Sequence, residues 1–408
     1  MTILYPSIWP IIPVPKPRVT MLVEQGSTAD SSKKSPAAPT GPPLGDPSWD
    51  LGLHQLQHNR HPLLPSACGR LTRSAGRRIG GTASQLQDLL RTSSPARELL
   101  SESLKSFTAS NGTSFRVDTS SALFSKEAPP VSQAFVKDSQ AKFSLQHQPL
   151  GKGDSKADQK QMRDWAEAGL GGREGAPSTP ELQAKAGALI LANALSFKGL
   201  WAREFSEDST DHRTFFGKKY TKVKMMHRTG LYHYHEDMEN MVQVLVAPLW
   251  GGKASVVLLL PFHLESLARL DKLLTIELLS KWLEKTSITT VSISIPKANI
   301  TSTLSLQKQL SALGLTDAWD AKPADFSGVS DKSKGKLHLG AVLQWASLEL
   351  TGQAGKGDAE LDEENVDKPK LFCADHPFVV LVRDSVTGAL VLIGALDHAD
   401  GEALHDEL

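Results

Sequence analysis

Apolar positions along this chain fall into two periods, with the helical one concentrated early and the strand period late. Thr82-Ala-Ser-Gln-Leu-Gln-Asp-Leu-Leu sets Leu86, Leu89 and Leu90 on one helical face, with Ser or Thr available as N-cap. Pro95–Leu104 predicts a second helix with proline in the first turn, where its missing N–H costs nothing. Ser114–Phe124 and Lys142–Leu145 are short strand candidates, and Gln159–Ala168 reads as a helix around Trp165, ended by Gly169, Gly171 and Gly172. Past residue 185 strands dominate. Gly187–Lys198 is nearly continuous in apolar residues, as a strand buried on both faces requires. Lys222–Met226 and Leu231–Tyr234 predict a hairpin turned at Arg228–Gly230, and Met241–Leu249 pairs with Ala254–Pro261 across Trp250-Gly-Gly-Lys. Leu264–Leu274 and Ile276–Glu284 are helical by period, Thr289–Pro296 alternates as a half-buried strand, and Ser305–Leu313 is a helix stopped by Gly314. Leu337–Leu350, Phe378–Arg383 and Ala389–Leu396 complete the strands. Without regular βαβ alternation, the class is α+β, in one large domain over 80–396.

The first 79 residues are different. Half of the 24 prolines of the 408-residue chain fall within the first 65 positions, and Ser27–Pro47 is rich in Ser, Pro, Ala and Gly. Proline at that density forbids sustained helix or central strand, so residues 1–79 are expected to be a disordered, mildly basic tail. Ile3–Val14 is apolar, but Pro6, Pro10 and Pro13 interrupt it, so it is not expected to act as a secretory signal. Residues 397–408 form a short C-terminal tail.

Charge and motif content narrow the functional classes. A net charge of +0 argues against binding nucleic acid through whole-chain electrostatics, and the longest apolar runs fall short of the roughly 20 residues a membrane helix needs. Cys68 and Cys373 are too few for a disulfide framework or a four-thiolate zinc site. His233 and His235 share one face of a strand with His227 nearby, yet no third ligand backed by a carboxylate is evident, so neither metal nor cofactor is expected. No nucleophile elbow or phosphate-binding loop appears, and no enzyme activity is expected. Asn111-Gly-Thr and Asn299-Ile-Thr are N-glycosylation sequons, used if the chain enters the secretory pathway.

Several segments together resemble the serpin family. Leu191-Ala-Asn-Ala-Leu-Ser-Phe-Lys-Gly-Leu-Trp matches a serpin strand-and-turn segment through Asn193, Phe197, Lys198 and Trp201. Ile295-Pro-Lys, Leu306–Leu315 and Ala324-Asp-Phe-Ser-Gly-Val-Ser follow in serpin order, and Phe372-Cys-Ala-Asp-His-Pro-Phe with Gly388 and Gly394 resembles the C-terminal signature. Within the family the wording of Met225-Met-His-Arg-Thr-Gly-Leu-Tyr and Lys370–Asp384 is most similar to the collagen-binding chaperone branch of the endoplasmic reticulum. The terminal His405-Asp406-Glu407-Leu408 fits the same branch as a retention signal read by a receptor. The resemblance implies helices plus large mixed and antiparallel sheets, and residence in the endoplasmic reticulum lumen. The serpin segment that would precede Gly80, including the buried helix under the main sheet, is expected to be missing.

The same resemblance implies a mechanism by binding. A serpin inhibits proteases by inserting its reactive loop into the main sheet, which needs small uncharged hinge residues; here Lys356, Asp358 and Glu360 share one parity and would be buried together in one of the two registers. A non-inhibitory chaperone for procollagen is therefore expected, with an inhibitory serpin or a truncated inactive form as alternatives. Asp375 would grip arginine side chains of the triple helix, with Leu371 and Cys373 on the same strand face; Asp375 also belongs to the general Asp-His-Pro-Phe signature and has a structural reading. Arg213, Phe216, Ser294 and His263 would complete the face, His263 serving as a pH switch that releases the client on acidification. The branch carries Tyr where this chain has Cys373, Met at Phe216, and two adjacent histidines where this chain keeps His263.

Overall fold

The computed structural model describes residues 82, 85 and 115–403, apart from 128–129, 152–154, 172–183, 266, 313, 331–335, 356–367, 386–387, 389 and 400. The expected tail over 1–79, the helix at Pro95–Leu104, the sequon at Asn111, the charged hinge residues Lys356, Asp358 and Glu360, and His405–Leu408 lie outside that set. So does most of the helix expected at Thr82–Leu90, of which Thr82 and Gln85 are helical.

Two sheets organise the described residues. The first runs β2 (Leu145–Leu150), β1 (Phe115–Lys126), β3 (Ala188–Gly199), β10 (His338–Leu350), β9 (Ala298–Ser305). Its β3–β10 seam is parallel, from Ala188 opposite His338 to Lys198 opposite Glu349, where the last two side chains form an ion pair at 2.9 Å. Strand β3 is buried on both faces, as its apolar run predicts, because a layer packs on each side. One face meets α2 (Ser155–Gly169), where Met162 and Ala166 pack with Ile190, Ala192 and Trp345. The close approach is set at Gly169, where a Cβ would stand 2.9 Å from that of Ala194. The opposite face carries Leu189 and Leu339 into a cluster with Phe135 and Phe326.

The second sheet is β11 (Lys370–Cys373), β8 (Ser287–Pro296), β5 (Tyr220–Asp237), β6 (Val242–Pro248), β7 (Ala254–Pro261), β12 (Phe378–Asp384), β13 (Leu390–Leu396), with β4 (Thr210–Phe216) and β14 (Glu402–Ala403) also on β5. The Trp250–Lys253 turn between β6 and β7 forms as expected, with Gly251 and Gly252 at φ 74° and 68°, where other side chains would be strained. Helices α3 (Ala268–Leu273) and α4 (Ile276–Lys285) cover one side of this sheet, with Trp282 and Leu270 fully buried against Leu259 and Leu381.

Four sequence expectations need correction. The hairpin at Arg228–Gly230 does not exist: β5 continues through it because β8 pairs without a break from Met225 opposite Pro296 to Tyr234 opposite Ser287. Lys142–Leu145 is not a strand but the junction of α1 (Gln133–Phe143) and β2; Ser132 caps the helix on Phe135 N, and Ser144 ends it at φ 51°. The helix from Leu264 is shorter, beginning at Ala268, and α5 (Gln307–Ala312) starts after a strand, β9, that the proline at 296 conceals in the sequence. That strand pairs with β10 in the other sheet.

Candidate functional site

Strand β11 is short, lies at the edge of the larger sheet and runs parallel to β8, with Leu371 opposite Ser292 and Cys373 opposite Ser294. Strand alternation then sorts its side chains: Phe372 and Ala374 are fully buried, while Leu371 is 71 % exposed. Cys373 and the Asp375 carboxyl, one third exposed, continue the outward row. The edge is anchored from within: Gln243 Nε2 donates to the Leu371 carbonyl at 2.9 Å, and Ala374 N donates to the Ser294 carbonyl at 2.8 Å. The Phe216 amide donates to the Asp375 carbonyl at 2.7 Å, so the end of β4 fixes the backbone under that carboxylate.

The structure thus brings Leu371, Cys373, Asp375, Ser294, Arg213 and Phe216 together at one corner, from strands β11, β8 and β4. A chain of polar contacts links them. Ser294 Oγ lies 2.8 Å from His227 Nδ1, and His227 Nε2 lies 2.8 Å from Asp211 Oδ1. Arg213 Nε donates to both oxygens of Asp211 at 3.0 Å, so a carboxylate other than Asp375 holds this arginine. Asp211 sits below the usual carboxylate range, chiefly because the His227 ring hydrogen-bonds it. Burial, reinforced by the Asp375 charge and hydrogen bond, pushes the Cys373 thiol up, so Cys373 is a neutral thiol at the centre of the face.

Asp211 carries no signal in the sequence, and His227, weighed above only as a metal ligand, gives none for this pairing, because the two meet only through cross-strand register. A third, His376, is more consequential. Its ring is buried beneath Asp375, with Nδ1 2.7 Å from Asp375 Oδ1 and Nε2 2.8 Å from the Pro261 carbonyl. A carbonyl and a carboxylate both only accept, so the ring that satisfies them carries a proton on each nitrogen. Burial opposes that charge, but the Asp375 and Pro261 contacts outweigh it and raise the His376 pKa above the ordinary histidine value. The adjacent Asp-His pair is the sequence signal that would have found it. His263 is exposed in the turn after β7, two residues beyond Pro261. Asn299 is exposed on β9 and accepts a bond from Ser347 Oγ at 3.0 Å. His233 lies exposed on β5, and among the described residues no three His, Cys, Asp or Glu side chains converge to hold a metal ion. Among the described residues no helix is long and apolar enough to cross a membrane.

Comparison with known proteins places this architecture. The family model for Serpin (serine protease inhibitor) matches residues 74–398. Serpin H1 of Mus musculus is 35% identical over 312 residues, 76% of this chain and 74% of the relative, and Serpin H1 of Gallus gallus is 37% identical over 278 residues, 67% of each. The crystal structure of uncleaved ovalbumin superposes with a TM-score of 0.70 at 22% identity, covering 83% of this chain and 91% of that one. With a family match across most of its length and relatives above the 30% level, the chain belongs to the serpin family.

Proposed function

We propose that this serpin is a non-inhibitory chaperone that binds the procollagen triple helix reversibly and releases it on acidification. A triple helix offers neither a free sheet edge nor a large apolar patch, so a binder must hold its outward X and Y side chains. An arginine there is matched by a carboxylate presented from rigid backbone, through a charge-assisted and bidentate pair. The observation that carries the reading is the outward row on the sheet edge: an apolar Leu371 that is 71 % exposed, and Asp375 held from behind by the Phe216 amide. An extended run from Leu371 to Asp375 spans roughly 13 Å, longer than the about 9 Å of one Gly-X-Y triplet, so the two side chains engage different triplets of the rod. Arg213, Phe216, Ser294 and Cys373 belong to the same contact face. The similarity to Serpin H1 relatives supports the same reading.

Acid release follows from His376. A guanidinium bound at Asp375 disfavours the second proton on the ring beneath it, so the ring gives up that proton in the complex and, on regaining it in acid, competes with the client for Asp375. Residence in the endoplasmic reticulum lumen, through His405–Leu408 and its receptor, and glycans on Asn111 and Asn299 belong to this reading. Protease inhibition is disfavoured by the hinge. Gly355 packs so closely on Trp250 that a Cβ would stand 2.0 Å from its ring, and the sequence beyond it is charged.

The test is surface plasmon resonance on triple-helical peptides with and without one Y-position arginine. Binding is expected only to the arginine peptide at neutral pH, with loss in mild acid and in Asp375→Asn at an unchanged melting temperature. Equal binding to both peptides, or retained binding by Asp375→Asn, refutes the reading.

A further inference from the structure

Behind the candidate face lies a cavity of about 500 Å³, between the turn after β4, the segment leading into α3, and strands β12 and β13. Its walls are mostly apolar, built by Leu264, Leu267, Val379 and Ile393, with Pro377 and Phe216 closing the side toward Asp375. Both size and lining fall in the range that small-molecule sites occupy. Phe216 is held there by an edge contact with Tyr220, ring centroids 5.5 Å apart, so that wall is fixed in place.

The polar groups around the cavity are unevenly charged. Glu265 is fully engaged by Arg269, whose Nε and Nη2 reach its carboxylate. Lys218 Nζ donates to Asp397 Oδ2 at 2.6 Å, and Lys218 N to the Asp397 carbonyl at 3.2 Å, which fixes that carboxylate against the wall. Its other oxygen, Oδ1, is buried and has no hydrogen-bond partner. Asp271, on α3, also lines the cavity. It has solvent on its outer side, yet desolvation by its apolar neighbours raises its pKa above the usual carboxylate value. With Glu265 matched by Arg269 and Asp397 by Lys218, Asp271 leaves one uncompensated negative charge on the lining.

We propose that this cavity is a binding site for a small molecule with an apolar body and one primary ammonium group. The body fills the space between Leu264, Val379 and Ile393. The ammonium has three donors, and the Asp271 carboxylate on the lining accepts from it. The site does not depend on collagen binding, although Phe216 lines the cavity and stands beside Asp375, so an occupied cavity stiffens one flank of that face.

The experiment is isothermal titration of the full chain with 1-naphthylmethylamine, the isosteric alcohol 1-naphthylmethanol, and 1-naphthylacetate. The amine is expected to bind at least about tenfold more tightly than the alcohol, and the acetate to show no saturable binding. Asp271→Asn is expected to bring the amine down to the affinity of the alcohol while leaving the alcohol unchanged. Ala268→Trp, at an exposed lining position of α3, should weaken both, and Ala395→Leu serves the same purpose should the tryptophan variant not melt cooperatively. No saturable binding of the amine, equal affinity for amine and alcohol, or amine binding that survives Asp271→Asn overturns the proposal.

Discussion

His376 Nδ1 and Asp375 Oδ1 stand 2.7 Å apart although the residues are adjacent in the chain, where extended backbone would send their side chains to opposite faces. They meet because β11 ends at Cys373 and the chain turns inward at Asp375, putting the His376 ring under the carboxylate and onto the Pro261 carbonyl. The carboxylate that faces outward is therefore tied to a buried titrating group.

That tie has a definite sign. The His376 pKa is raised in the folded chain, so its contribution to stability is fully present below the unfolded histidine value of about 6.5 and is lost as pH rises through the higher folded value. In His376→Gln, whose amide keeps a donor for Pro261, the melting temperature is expected to fall most in mild acid and to approach that of the parent in alkali. Melting curves recorded across pH 5 to 9 read this directly; a deficit that grows toward alkali contradicts the pairing. The same variant should flatten the acid release of the arginine peptide.

Leu371 separates contact from folding. At 71 % exposure its side chain supports little of the core, and surface substitutions of this kind change stability by no more than about 0.5 kcal/mol. Leu371→Asp is expected to reduce affinity for the arginine peptide at least about tenfold, since an apolar anchor is replaced by a hydrated charge. Chemical denaturation should give an unchanged midpoint. A shifted midpoint with unchanged affinity would assign Leu371 to the fold instead.

How much of this was legible in the sequence depends on the range of the contacts involved. The β6–β7 pair could be read because Gly251 and Gly252 sit between two apolar runs, and the turn is local. The outward row Leu371, Cys373, Asp375 could be read because a strand has period two. Gly230 misled for the opposite reason: it is a turn signal locally, but Val291 pairs across from it and the strand runs on. Helix α1 was hidden because, of its described apolar side chains, Phe135 is the one in the buried core, so its sequence has little helical period and its serine caps define it. His376 escaped because its second partner, Pro261, is 115 residues away. Asp211 and His227 likewise become a pair only when β4 and β5 register.

Cys373 offers a reporter within the face. Burial first, and then the Asp375 charge, raise its pKa, so its thiolate forms at higher pH than that of an exposed cysteine near 8.5. In a Cys68→Ser background, which leaves one thiol, the rate of alkylation by iodoacetamide is expected to rise with an apparent pKa above that value. Asp375→Asn should lower the apparent pKa by removing the neighbouring charge, without reaching that of a free thiol, because the desolvation remains. An apparent pKa unmoved by Asp375→Asn would place the carboxylate too far away to act.

The last expectation concerns what holds the smaller sheet to its helix. Lys126 at the end of β1 and Asp158 in the first turn of α2 form a buried ion pair at 2.7 Å, their side chains 6% and 3% exposed, and Lys126 also donates to the Gly151 carbonyl at 2.7 Å. Removing the carboxylate takes a 2.7 Å partner from an ammonium in a low-dielectric site, and breaking a buried pair in this way costs about 3–5 kcal/mol, whereas an apolar pair of similar volume is close to neutral. Asp158 further benefits from the positive end of the helix it begins. Asp158→Ala is therefore expected to lower the denaturation midpoint strongly, and the double variant Lys126→Met with Asp158→Leu to recover most of that loss. If the double variant is as unstable as the single one, the Gly151 carbonyl left without its lysine donor, rather than the loss of the Asp158 carboxylate beside Lys126, is what the sheet edge depends on.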